Sequence, residues 1–323
     1  MALTNMQVFD QYIMPATIIS LDQQINAFNE ASGGAIVLSS NGFTGDFMRE
    51  SFFSSLAAAR RRVDRYAAND PVTATPLSEL KRTKVKVAGG FGPVAFEPSQ
   101  LNWLQRPTQQ GVQAAATAFA ELLVQDQLNS AIAALCAAIG NNTATRIDVG
   151  AAGMTYGAIN SAHALFGDMS SQIVCNIMTG EVAHKLVGDN LANGTRLFQA
   201  GNVTIIDILG KRVVVTDAPA LTVAGVAPTP TKLRVLGLVQ GAATVEGVSD
   251  VITNVQTTNG KQRIETTFQV DYSFTLGLKG YSWDEVNGGK SPTDAEIATG
   301  ANWSKVAQFD KMTAGVMAIA NRL

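Results

Sequence analysis

The chain has 323 residues, enough for one large domain or two to three modest ones, and 46% of them are apolar, which excludes wholesale disorder. Only 15% are charged, and 19 Asn, 18 Gln, 28 Thr and 18 Ser supply most of the polarity. The net charge is −2, which excludes a globally basic nucleic-acid binder. A surface of amides and hydroxyls costs little to desolvate against another protein, so the composition suits a chain that assembles.

Charge is unevenly placed. Residues 1–48 hold four acids and no Lys or Arg, whereas residues 49–106 hold ten basic and five acidic residues. Opposite charges on one chain allow it to pair with itself. Cys136 and Cys175 lie in apolar runs and read as buried small hydrophobes, which points to a reducing compartment. The opening MALTNMQVFDQYIM lacks the basic start of a secretory signal. No stretch reads as the roughly 20 uncharged apolar residues of a membrane span.

Taken in order, residues 1–48 read as an arm whose short apolar clusters find partners elsewhere, with Leu21, Ile25 and Phe28 at helical spacing. RESFFSSLAAARRRVDRYAAND, 49–70, predicts a helix and a polar turn. From Lys84 the sequence alternates charge and valine, which predicts a half-exposed strand. Ala88–Pro93 supplies a turn and Val94–Glu97 a returning strand. Such a hairpin has little apolar material and needs another surface to lie on. Residues 107–140 predict a helix of about 50 Å, ended by Gly140-Asn141-Asn142.

Residues 155–250 alternate. TYGAINSAHALFGD predicts a helix, SQIVCNIM a buried strand and GEVAHKLVGDNL a helix. NVTIIDILGKRVVVTDAPAL predicts two strands about a Gly-Lys turn, and LRVLGLVQGAATV one further buried strand. Residues 224–231 predict an exposed loop. In VITNVQTTNGKQRIETTFQVDYSFTLGL, Asn259-Gly260 between alternating runs predicts a hairpin. The tail, VAQFDKMTAGVMAIANRL, predicts a weak helix.

Candidate chemistry is sparse. The two histidines, His163 and His184, match no zinc spacing with the cysteines. There is no nucleophile elbow and no phosphate-binding GxxxxGK[ST] loop. Gly150 to Gly157 has GxxGxxxG spacing after a helix and reads as a linker, not a dinucleotide loop. Asp207 and Asp217 flank strands and read as strand-end caps. Arg60, Arg61, Arg62 and Arg65 form one basic cluster, and Lys81, Arg82, Lys84 and Lys86 a second. Without interleaved aromatics they read as subunit-contacting or solvated faces, not a single-strand binding site.

The order of these parts resembles the tailed-bacteriophage major capsid proteins, the Johnson-fold family. The resemblance rests on FFSSLAAARRR, VKVAGGFGPVAF, AELLVQDQLNSAIAALCAAIGNN, AINSAHALFGDMSSQIVCNIM, KRVVVTDAPAL and FQVDYSFTLGLKGYSWDE, and covers nearly the whole chain. It implies an α+β fold with an N-terminal arm (1–48), a basic helix and extended hairpin, the E-loop (49–106), and a peripheral domain with a spine helix (107–154). An inserted α/β axial domain (155–249) and peripheral strands with a C-terminal tail (250–323) complete it. The function it implies is a shell subunit that self-assembles around a double-stranded DNA genome, with no catalytic, cofactor or metal site. Its partners would be further copies in hexamers and pentamers, a separate scaffolding protein, portal and decoration proteins, and packaged DNA by non-specific contact; no membrane is implied. It would act in the virion capsid after assembly in the host cytoplasm. The inter-subunit contacts expected are Arg60, Arg61, Arg62, Arg65, Lys81, Arg82, Lys84, Lys86 and Phe91. Two other readings stand beside it: an encapsulin-like compartment shell, and an enzyme or ligand-binding protein built on the α/β segment.

Overall fold

The computed structural model describes residues 29–39, 45–53, 62–66, 68, 71, 79–96, 109–192, 210–225, 229–247, 251–260 and 262–322. In chain order the elements are β1 (Ile36–Ser39), β2 (Phe47–Phe53), β3 (Glu79–Phe96), α1 (Gln109–Asn141), β4 (Arg146–Asp148), α2 (Tyr156–Ala164), β5 (Ile173–Met178) and α3 (Gly180–Ala192). There follow β6 (Arg212–Val215), β7 (Thr222–Val223), β8 (Lys232–Val239), β9 (Ala243–Gly247), β10 (Ile252–Thr258), β11 (Glu265–Leu278) and β12 (Tyr281–Trp283). The chain closes with α4 (Asp294–Ile297), β13 (Trp303–Lys305) and β14 (Gly315–Asn321).

Two sheets of six strands share one helix. The first has the order β1-β9-β11-β3-β2, with β10 also on β11. The second has the order β4-β14-β8-β5-β6, with β7 also on β8. Helix α1 has 33 residues, about 50 Å at 1.5 Å per residue. It touches β9 and β11 of the first sheet and β14 of the second. From Ser130 to Ile139 all but Ala133 are buried, so this half is enclosed on every side. Its small residues permit close approach. A Cβ on Gly300 would stand 2.7 Å from the carbonyl oxygen of Ala137, so the segment after α4 presses directly on the helix backbone. Ala118–Asn141 is long and apolar enough to cross a bilayer by length and composition, contrary to the sequence expectation, but here it is largely spent on the chain's own core.

The inner face of the first sheet carries Ile36, Leu38, Val85, Val87, Val245, Tyr272, Phe274 and Leu276, all buried in one core with α1. In the second sheet α2 packs on β14, β8 and β4. His163 on α2 reaches down to Asn176 on β5, Nε2 to Oδ1 at 2.8 Å. Gly237 lies directly beneath that imidazole, 3.0 Å from where a Cβ would be. Burial lowers the pKa of His163, which favours the neutral ring. It pushes the thiols of Cys136 and Cys175 up to about 11 and about 12, so both are inert apolar groups.

Helices α1, α2 and α3, strand β5, and the hairpin β10–β11 match the sequence expectations. Four elements do not. The Gly-rich stretch 88–93 is no turn: β3 runs straight through it, paired with β11 from Val85 to Phe96. One extra residue bulges out between Phe91 and Val94, which accommodates Pro93, a residue with no N–H to give the ladder. Residues 49–53 are strand, not helix, because each opposes a residue of β3, with Glu50 facing Arg82. The run 232–247 is two strands in different sheets, parted at Gly241, whose φ of 67° suits glycine. The tail forms β14, held between β4 and β8 and buried on both faces, which erases the alternation that marks a half-exposed strand. The expected first strand near 202–209, and the arm before residue 29, lie outside the described residues.

The sheets also cross the expected segment boundaries. β9 lies before residue 250 yet belongs to the first sheet, and β14 at the end of the chain belongs to the second.

Candidate assembly interface

Strand β3 changes partners at Val85. Residues 79–85 pair with β2 and residues 85–96 with β11. The antiparallel β2–β3 ribbon therefore leaves the body at Val85, and residues 54–78 connect its far ends. Of that connection, Arg62, Val63, Asp64, Arg65, Tyr66, Ala68 and Pro71 are described, and all are exposed. Tyr66 is 92% exposed and Val63 66%. The Tyr66 amide donates to Asp64 Oδ1 at 2.9 Å, and the Arg65 guanidinium lies over the Tyr66 ring at 5.9 Å. Arginine, tyrosine and an aliphatic side chain held out in water is the composition of a contact hot spot.

The root of the ribbon is ionic. Lys84 Nζ pairs with Glu246 Oε1 at 2.8 Å and with Glu50 Oε1 at 3.0 Å. Glu50 also takes Arg82 at 2.7 Å. The chain Glu246–Lys84–Glu50–Arg82 thus ties β9, β3 and β2 together. The Lys84 side chain is only 5% exposed. Its stem lies against Gly277, where a Cβ would meet Lys84 Cγ at 2.6 Å. On the opposite face of the ribbon, the one that carries Val85, a second set of bonds reaches β12 and the segment after it. Arg49 makes a two-pronged pair with Glu285, the Thr83 amide donates to Ser282 Oγ at 2.9 Å, and Thr83 Oγ1 to Glu285 Oε1 at 3.2 Å. Lys290 Nζ lies 3.7 Å from Asp46. The Arg49 side chain gives Glu285 two charge-assisted bonds and holds its carboxyl below the usual carboxylate range.

The expected contact residues therefore separate. Arg62 and Arg65 are exposed in the connection between β2 and β3, and Lys81 is exposed on β3. Arg60 and Arg61 lie outside the described residues. Arg82 and Lys86 are half-buried. Lys84 is 5% exposed, and two carboxylates of its own chain meet its charge. Phe91 is half-buried and packs on Tyr272 at 5.3 Å and on Phe119 of α1 at 6.2 Å between ring centroids. Sequence reading missed Glu246, Arg49 and Glu285. Only the acid Glu50 opposite a basic strand could have signalled the pairing.

Tyr272 also joins sheet to helix, its hydroxyl donating to Asp126 Oδ2 on α1 at 2.6 Å. Burial raises the Asp126 carboxyl above its ordinary range, the Tyr272 hydroxyl pulls it back, and nearby Asp294 pushes it up further. Asp217 accepts the Gly180 amide at 3.0 Å and caps α3, which agrees with its reading as a cap. Among the described residues no cluster of three or more His, Cys, Asp or Glu side chains could hold a metal.

This architecture is that of the HK97-like phage shells. It is similar to the capsid of Helicobacter pylori bacteriophage KHP30, with 9% identity and a TM-score of 0.50 over 89% of this chain and 87% of that one. It is similar to the capsid of cyanophage Pam1, with 13% identity and a TM-score of 0.51 over 88% of each chain. The capsid of Ralstonia phage GP4 gives 14% identity and a TM-score of 0.51 over 90% of this chain and 88% of that one. No curated protein matches the sequence. The family model described as Gp13-like, major capsid protein 13-like, matches residues 5–317. The chain belongs to that family and is a major capsid protein of tailed phages, a structural subunit of the virion shell. Neither the compartment reading nor the enzyme reading is favoured by these matches.

Two consequences are measurable. Lys84→Ala removes the lysine partner of Glu246 and one of the two cations on Glu50, and should lower the unfolding free energy by about 2 kcal/mol. Lys81→Ala should change it by less than about 0.5 kcal/mol, both by denaturant unfolding. For Asp126, a carboxyl raised in the folded state binds its proton more tightly there than in the unfolded chain. Its contribution to stability is thus full at acid pH and lost as pH rises through the folded value. Asp126→Asn keeps an acceptor for Tyr272 and removes the buried charge. Its melting temperature should exceed the parent's at about pH 7, and the gap should close towards about pH 4.

Proposed function

We propose that the β2–β3 ribbon and its connection are the E-loop of this subunit, laid on a neighbouring copy, and that the second sheet with α2 and α3 is the axial domain. Subunits then group as hexamers and pentamers in an icosahedral shell around double-stranded DNA, which the inner surface meets without sequence preference. A separate scaffolding protein, a portal and decoration proteins complete the partners, and assembly takes place in the host cytoplasm. These partners and the compartment are carried over from the family resemblance.

The observation that supports the reading is the exposure of Arg62–Tyr66 in the connection of the β2–β3 ribbon. A two-stranded ribbon by itself is marginal in water. An apolar and cationic segment in its connection costs solubility unless something covers it. In a shell of one repeated chain the available cover is another copy. Arg61 and Arg62 carry the positive charge that an acidic patch on that copy would meet.

The double variant Arg61→Glu, Arg62→Glu should fold with unchanged circular dichroism and melting temperature yet form no particles on co-expression with scaffold, as seen by electron microscopy. Normal particles from this variant would refute the reading.

A further inference from the structure

The ribbon root holds two ionic sets of different character. The Lys84 set, Glu246–Lys84–Glu50–Arg82, is centred on a buried lysine and ties strand to strand. The Arg49 set, Arg49–Glu285 with Thr83–Ser282 and Lys290–Asp46, joins the ribbon to the segment Ser282–Lys290 across the point where β3 changes partners. Arg49 is 61% exposed there and Glu285 28%. Exposed pairs of this kind yield to salt and to protonation, whereas the pairs of Lys84, whose side chain is 5% exposed, are screened less.

The segment that carries Glu285 is itself stiff. Trp283 stacks edge-on to Trp303 at 4.8 Å between ring centroids, and its Nε1 donates to the Gly289 carbonyl at 3.0 Å. Asp284 Oδ1 accepts the amides of Val286 and Asn287 at 2.9 and 3.2 Å, closing the turn. Gly288 sits on the Trp283 ring, where a Cβ would stand 2.2 Å away. A carboxylate on so rigid a mount fixes whatever it grips.

We propose that Glu285 is a positioning residue. Through Arg49 it holds the β2–β3 ribbon at one angle to the body, and its release lets the ribbon swing about Val85 while the Lys84 set keeps the strand register. The ribbon angle in turn sets the curvature at which one subunit meets the next. That last link rests on the E-loop reading above; the clamp itself does not.

The test uses the full chain with Arg49→Glu, Glu285→Arg and the charge-swapped double. Amide hydrogen exchange of the unassembled subunit reads the clamp. Each single variant should raise exchange of the Thr83 amide, whose partner is Ser282 outside the β2 ladder, by about tenfold. The β2 ladder and α1 amides should stay protected, and the double should return Thr83 to within about twofold of the parent. Should a single variant lose α1 protection as well, Glu285→Gln, which keeps an acceptor and removes the charge, should still raise Thr83 exchange severalfold. Unchanged Thr83 exchange in these variants, or failure of the swap to restore it, overturns the clamp. Particle diameters by electron microscopy read the link to assembly: broadened in the singles and uniform again in the double. Uniform particles from singles with raised Thr83 exchange would overturn the role in curvature and leave the clamp standing.

Discussion

Everything in this subunit depends on the burial of one helix from two sides. From Ser130 to Ile139, α1 has almost no face left for water. A helix apolar all round must be enclosed by other elements, and here neither sheet alone encloses it. β9 and β11 cover it from the first sheet and β14 from the second. Alanines at 131, 134, 137 and 138 let both come close. The two sheets thus share one core built around a rod of about 50 Å. Strand β14, held between β4 and β8, completes the cover.

The ribbon is the opposite case. Phe47 and Val85 at its base touch the core, and among the described residues beyond them polar bonds seat it. Those bonds divide by burial. A lysine already desolvated between two carboxylates is strongly coupled to folding, since removing a partner leaves uncompensated charge inside. An arginine–glutamate pair open to water is weak by itself and matters through geometry, because two prongs on a rigid mount define a direction.

How much of this was legible follows from which signals are local. The helix from residue 109 was legible because its length, its apolar recurrence and its Gly-Asn-Asn end all agree. The β10–β11 hairpin was legible from Asn259-Gly260 and period-2 alternation. The order of parts carried the family. What failed was decided by partners distant in sequence. GGFGP forms strand because β11 offers it a complete ladder, a fact nearly two hundred residues away. FFSSLAAARRR seemed helical, but its opening residues pair with β3. VMAIAN lost its alternation by being buried on both faces. Lys84 looked like surface charge because Glu246 cannot be placed beside it from the sequence. The clamp residue Glu285 carried no signal at all beyond its acidity.

The most direct test of the account is the structure of the assembled shell by cryo-electron microscopy. The account predicts that Arg62–Tyr66 is buried against a neighbouring copy while α1, β11 and β14 keep the packing described above. A shell in which Tyr66 remains in solvent, or folds back onto its own subunit, would contradict it.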